Sequence, residues 1–263
     1  MQHAAAALVA DNPGIRALLP ALQADWKSAA SEQERLNLGL LLCFGYTTAE
    51  DGAALKTVSA EVLAKYPDSY SAIDLAGDAD RLLKDWKGWN SMLDAQLARH
   101  PDDENLLRMK AHYAGAQGNF ALDRATLQKL FDNGKATSND YNSYGWSALF
   151  DGKIDAEVIK NAQQANLLTQ NGSFNALHTL ACLYAAQGRT TEARDLLLKA
   201  MAQKNLTEPD SEVWFGLASI YEQYGVADAA IEAYRKVEKP EGAIEATSTW
   251  LLAQARLKAL GGN

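Results

Sequence analysis

The sequence predicts an all-α fold of repeated helical hairpins, and three observations carry that prediction. Alanine and leucine are the two commonest residues, while valine and isoleucine are scarce. Helices favour the first pair, whereas strands favour β-branched side chains. A hexapeptide also recurs: Leu63-Ala64-Lys65-Tyr66-Pro67-Asp68 returns 34 residues later as Leu97-Ala98-Arg99-His100-Pro101-Asp102. Each copy ends an amphipathic stretch with a basic residue and a proline that cannot continue a helix. Finally, Gly118, Gly152, Gly188, Gly225 and Gly261 follow one another at intervals of 34, 36, 37 and 36 residues. A period near 34 suits a stack of two-helix units.

Offsets from these glycines give each unit its packing chemistry. Eleven residues earlier stands a large apolar side chain: Leu107, Tyr141, Leu177, Trp214 or Trp250. Seven residues earlier stands a small one, at Ala111, Gly145, Ala181 and Ala218, with Gln254 the exception. A bulky knob beside a small hole lets two helices approach closely. The glycine then supplies the left-handed turn. Ala193 and Ala230 open the packing face of a second helix, continued by Leu197 and Ala200 or by Tyr234 and Val237. Those steps of four and three are helical.

The phase predicts an N-terminal helix over about 14–29 and hairpins over about 33–67, 70–101, 104–134, 138–170, 174–205 and 211–240. A closing helix over about 246–260 repeats only the first half of a unit, as a terminal cap does. Ser173 and Ser211 are expected N-caps, and Asp102-Asp103 sits where acids favour a helix start. No Ser/Gly linker or charge block interrupts residues 1–263, so one continuous solenoid is expected.

These residues resemble the tetratricopeptide repeat family. The signature positions are filled by Leu177, Leu180, Ala181, Tyr184, Gly188, Ala193, Leu197 and Ala200, and again by Trp214, Leu217, Ala218, Tyr221, Gly225, Ala230 and Tyr234. Earlier units depart from the pattern. Lys110 and Asp123 stand where Leu and Ala are usual, and Lys84 takes a glycine position, leaving packing to Trp86, Trp89 and Leu93. After Gly152 the second helix slips out of register, with Ile154, Val158, Ala162 and Ala165 as its apolar face. The unit over 33–67 is recognisable mainly by its Pro-Asp ending. The resemblance implies a right-handed superhelical solenoid of antiparallel hairpins. More loosely, the stretches Lys135 to Tyr141, Gly145 to Phe150 and Glu222 to Gly225 resemble repeat arrays that follow a transglutaminase-like domain in some large bacterial proteins.

Charge and motif content exclude several functions. Lys and Arg number 25 against 33 Asp and Glu, a net charge of −8, and no basic patch is apparent, which argues against nucleic-acid binding. Leu38 to Phe44, the longest apolar run, is too short to span a bilayer. His3 to Ala10 is apolar but has no basic region before it, so no signal peptide is expected. The chain is expected to be soluble, cytoplasmic by default, or periplasmic if it belongs to an exported protein. Cys43 and Cys182 read as buried thiols. His3, His100, His112 and His178 form no metal-binding spacing, and Gly115-Ala116-Gln117-Gly118 lies between helices, where a phosphate loop would follow a strand. No catalytic residue, cofactor or metal is predicted.

The resemblance implies that the first helix of each hairpin lines a concave groove, with its second, fifth and ninth positions exposed there. The candidates for contact with a protein or peptide partner are Asn105, Arg108, His112, Asn139, Asn142, Trp146, Asn175, His178 and Phe215. Asn105, Asn139 and Asn175 share one register, so their carboxamides suit either capture of an extended backbone or capping of their helices. Trp146 reads as core or as an exposed anchor. Two functions remain open: a non-catalytic scaffold binding a partner segment in the groove, and a structural or regulatory C-terminal appendage of a larger transglutaminase-like enzyme.

Overall fold

The computed structural model describes residues 12–242 and 244–262, leaving the run from His3 to Ala10 outside the described residues. Fourteen helices are present among them. These are α1 (Asn12–Lys27), α2 (Glu32–Thr48), α3 (Gly52–Lys65), α4 (Tyr70–Leu83), α5 (Trp86–Arg99), α6 (Glu104–Ala116) and α7 (Phe120–Asp132). They continue with α8 (Ser138–Asp151), α9 (Ala156–Leu168), α10 (Phe174–Ala186), α11 (Thr190–Gln203), α12 (Ser211–Gln223), α13 (Ala227–Arg235) and α14 (Thr249–Ala259). The chain divides into two compact units, residues 1–101 and 102–263.

Hairpin turns fall where a residue adopts positive φ. Gly118, Gly152, Gly188 and Gly225 do so at 79°, 68°, 74° and 73°. Lys84 and Glu50 hold the same left-handed geometry at 57° and 54°, at earlier steps of 34. The repeat phase therefore persists in the turns of the first unit, where the glycine is absent. Two of the longer intervals have local causes. The turn after Gly152 holds two additional residues before α9 begins at Ala156, which moves the packing face to Val158, Ala162 and Ala165, all buried. The interval to Gly225 is lengthened mainly by the connection 204–210 between α11 and α12.

Side-chain caps start most helices by satisfying backbone donors that no preceding turn can satisfy. Asp103 accepts from Asn105 N and Leu106 N at 3.0 Å each, and Thr137 forms a capping box with Asp140. Ser173 caps α10 as predicted. For α12 the expectation is corrected: Asp210 caps it, accepting from Val213 N at 3.0 Å, and Ser211 is its first residue.

In the first unit, α2 packs on α1, α3 and α4, and α4 on α5. Trp26, Leu42, Cys43, Leu55 and Val58 form part of its core. In the second unit, α6–α7, α8–α9, α10–α11 and α12–α13 are the hairpins. The first helices of successive hairpins also meet, α8 with α10 and α10 with α12, and α14 covers α13 and part of α12. Ala181, Ala218, Ala193 and Ala230 are fully buried, as the knob-and-hole pattern requires. Ala253 and Leu257 of α14 join Tyr234 and Val237 in the last cluster.

Candidate functional site

The nine candidate residues divide by environment. Asn105, His112, Asn139 and Asn175 are exposed, and Arg108, Asn142 and Trp146 are half-buried. His178 and Phe215, expected to face outward, are instead 4% and 5% exposed. Their burial has a geometric cause. Trp146 on α8 lies across the ends of both, with ring centroids 5.6 Å from His178 and 6.4 Å from Phe215. His178 also stacks on Phe174 at 5.7 Å and donates from Nε2 to the Glu212 carbonyl at 2.8 Å. Burial holds this imidazole below its ordinary pKa, so it serves as a neutral link between α10 and α12.

The capping explanation for the asparagines is corrected by the helix starts. Asn105, Asn139 and Asn175 each stand at the second residue of a helix, and the caps are Asp103, Thr137 and Ser173. Their carboxamides are not used as N-caps. Arg108, by contrast, is committed. Its guanidinium donates from Nε to both Asp140 carboxylate oxygens at 3.2 and 3.1 Å and from an Nη to the Lys135 carbonyl at 2.8 Å, tying α6 to the start of α8. It braces a joint between hairpins and is not a free cation in the strip.

A stretch of non-helical chain with no periodic signal in the sequence lies over this strip. Between α13 and α14 the described residues 236–242 and 244–248 form no helix, and they lie along the inner helices of the second unit. Ser211 Oγ accepts from Glu238 N at 2.9 Å. At the other end Ala246 N donates to the Ala116 carbonyl at 3.1 Å, and Trp146 Nε1 donates to the Thr247 carbonyl at 3.0 Å. Ala116 is the last residue of α6, so its carbonyl has no acceptor role inside that helix. The Gly115-Ala116-Gln117-Gly118 turn is shaped for this contact: a Cβ on Gly115 would stand 3.3 Å from the Thr247 methyl, and one on Gly118 3.3 Å from the Ala246 Cβ.

Two cavities flank the returning segment. One, about 500 Å³, is lined by Asn142, Asn175, His178, Glu238, Glu245 and Trp250, among others. The second, about 300 Å³, lies beneath Thr247 and reaches Asp123. Asn142 contributes to both, and its buried Oδ1 has no hydrogen-bond partner. Asp123 is 4% exposed and accepts from the Ser147 hydroxyl. Burial pushes its carboxyl up to about 6, with Ser147 and Arg124 opposing. The sequence signal for this acid was its departure from the alanine usual at that position. Among the described residues no group of three or more His, Cys, Asp or Glu is placed to hold a metal ion, and no helix is long and apolar enough to cross a membrane.

The strip therefore offers two main-chain-directed contacts, an aromatic ring and a row of exposed carboxamides, and it already holds non-helical backbone. Comparison with known proteins agrees with the hairpin architecture. Residues 211–239 match the family model described as tetratricopeptide repeat. No curated relative matches the sequence. In fold the chain is similar to a tetratricopeptide repeat protein from Parabacteroides merdae, with 12% identity and a TM-score of 0.66 over 96% of each chain. It is also similar to a chain of the APC/C hetero-tetramer Cut9–Hcn1, with 14% identity and a TM-score of 0.57 over 85% of this chain and 42% of that one. Residues 211–239 thus carry a tetratricopeptide repeat, and the paired helices give the chain the fold of tetratricopeptide repeat proteins.

Proposed function

We propose that this protein is a non-catalytic interaction scaffold that holds an extended segment of a partner protein along the inner strip of α6, α8 and α10. Tetratricopeptide repeat domains commonly mediate protein–protein interactions, and the Cut9–Hcn1 hetero-tetramer shows a similar fold within a protein assembly. The observation that carries the reading is the Trp146 indole N–H bound to a backbone carbonyl beside the Ala116 carbonyl bound to a backbone amide. Contacts of this kind recognise an extended chain with little regard to its side chains. Asn105, His112, Asn139 and Asn175 extend the polar row, and Trp146 supplies the aromatic anchor that concentrates affinity at such interfaces.

The test is selection of dodecapeptides displayed on phage, followed by titration of the selected peptides against folded variants. Trp146→Ala is expected to weaken binding at least tenfold and Asn142→Ala about fivefold. Glu192→Ala, on the exposed side of α11, is expected to leave it unchanged. Equal affinity for all three variants moves the interface off this strip.

A further inference from the structure

The stretch between Val237 and α14 is more than a connection. A short turn would join two antiparallel helices, yet this one crosses from Ser211 to the far end of α6. Its contacts lie at both ends of the strip: the Glu238 amide on Ser211, the Ala246 amide on Ala116 and the Thr247 carbonyl on Trp146. The last of these joins residues 101 positions apart in the chain. Val237 is buried in the last cluster, but the residues that follow, Lys239, Pro240, Glu241 and Gly242, are exposed, so few apolar contacts hold the middle of the stretch down. Segments with few buried contacts open independently of the elements they cover.

We propose that this segment is an internal ligand: it occupies the place of a partner's extended segment, and a partner binds by displacing it. The proposal rests on the strip reading above and gives the partner a chemistry. The seat over Gly115 and Gly118 is occupied by two small side chains, Ala246 and Thr247, and the missing side chains of the two glycines leave them room: a Cβ on either glycine would come within 3.3 Å of the Ala246 Cβ or the Thr247 methyl. A carboxylate precedes them at Glu245, beside the cavity that Asn142 and His178 line. The favoured partner segment is therefore extended, with two adjacent small residues after an acidic one. Affinity measured on the intact protein is reduced by the fraction of molecules in which the internal segment is seated.

The test uses the full chain and one probe, a labelled synthetic peptide carrying residues 237–249. In one variant, residues 239–247 are replaced by the same number of Gly and Ser residues, leaving α14 attached. The replaced variant is expected to bind the peptide at least tenfold more tightly than the native chain, and Trp146→Phe in that background to lose about fivefold. Equal binding by native and replaced chains overturns the competition while leaving the strip as a peptide site. No binding by a replaced chain that keeps its helicity and melting transition overturns both. If the replaced chain does not fold, hydrogen exchange on the native protein decides. The Ala246 amide is expected to exchange at least a hundredfold faster than the core amides of α10. Exchange as slow as theirs means the segment leaves only on unfolding and ends the proposal.

Discussion

Trp89 fills the space that Gly77 leaves: a Cβ built on Gly77 would stand 2.6 Å from the Trp89 ring. Gly77 lies seven residues before the turn at Lys84, the register held by Ala111, Ala181 and Ala218 in the second unit. Trp89 lies five after it, where Ala193 and Ala230 stand. The hairpin α4–α5 has exchanged a small-small contact for a void matched to the largest side chain, and Trp89 is fully buried as a result. Gly77→Ala is expected to cost about 1–3 kcal/mol by overpacking and Trp89→Ala about 3–5 kcal/mol by the cavity left behind. Since a Cβ at position 77 would press on the Trp89 ring, the double variant should cost less than the sum. Urea unfolding of the three variants measures this, and strict additivity would show that the fit is not the constraint.

The turns allow a cleaner experiment, on the backbone alone. Gly152 has φ 68° and a Cβ there would meet nothing within 4 Å, whereas Lys84 holds φ 57° with a side chain. A left-handed conformation costs an L-residue about 1–2 kcal/mol. Gly152→Ala should therefore lower stability by about 1 kcal/mol. Lys84→Gly should raise it, by less than that amount, because glycine also gives the unfolded chain more freedom to lose. Opposite shifts in the urea midpoint are the expected result, and shifts of the same sign contradict it.

These two pairs show what the sequence could and could not disclose. Hairpin turns, knob-and-hole positions and the odd place of Lys84 and Asp123 are readable because each depends on neighbours a few residues away or one repeat away. The burial of His178 and Phe215 is not, since it follows from how α8, α10 and α12 lean together under Trp146. The return of the stretch between α13 and α14 is hidden more deeply. That stretch has no period, and its seat is assembled from the end of α6, about 130 positions away, and the middle of α8, about 100 positions away. The visible trace is Pro240 and Gly242, which fall between the hairpin expected over 211–240 and the closing helix expected over 246–260. The shortened α13, of 9 residues, is its structural counterpart.

Asp123 should make stability depend on pH in a particular direction. Burial raises its carboxyl from the ordinary 3.8 to about 6, so the folded chain binds this proton more tightly than the unfolded chain does. The favourable contribution is complete below about pH 4 and is lost as pH rises through 6. The shift corresponds to about 3 kcal/mol at most. Asp123→Asn keeps an acceptor for the Ser147 hydroxyl and carries no charge. It should stabilise the protein by about 1–3 kcal/mol at pH 7.5 and by much less at pH 4, measured as paired denaturation midpoints. A gain of the same size at both pH values would assign the effect to something other than the buried charge.

Both cysteines should be silent in the folded protein. Cys43 and Cys182 are buried; burial pushes the Cys43 thiol up to about 12, and burial together with the Glu212 charge raises that of Cys182. The thiolate is the reacting species, so an aromatic disulfide reagent at pH 8 should label neither residue on the minute timescale. Addition of denaturant should release two equivalents. Fast labelling of one cysteine without denaturant would reveal local opening around α2 or α10.

The final helix should act as a local cap. Ala253 and Leu257 are buried against Ala230, Ala233 and Tyr234, Arg256 pairs with Glu222, and Arg235 donates to the Gly262 carbonyl at 2.9 Å. A chain ended after Thr247 loses all of these and uncovers the face carrying Tyr234 and Trp214. Repeat arrays pass stability between neighbours, so the damage should fade with distance from the end. Hydrogen exchange should show protection lost over α13, reduced over α12 and retained over α8. Leu257→Ala should produce a milder version at about 2–4 kcal/mol. Uniform loss of protection from α6 to α13 would make the second unit a single cooperative block. Unchanged exchange in α13 would mean that α14 covers nothing that needs covering.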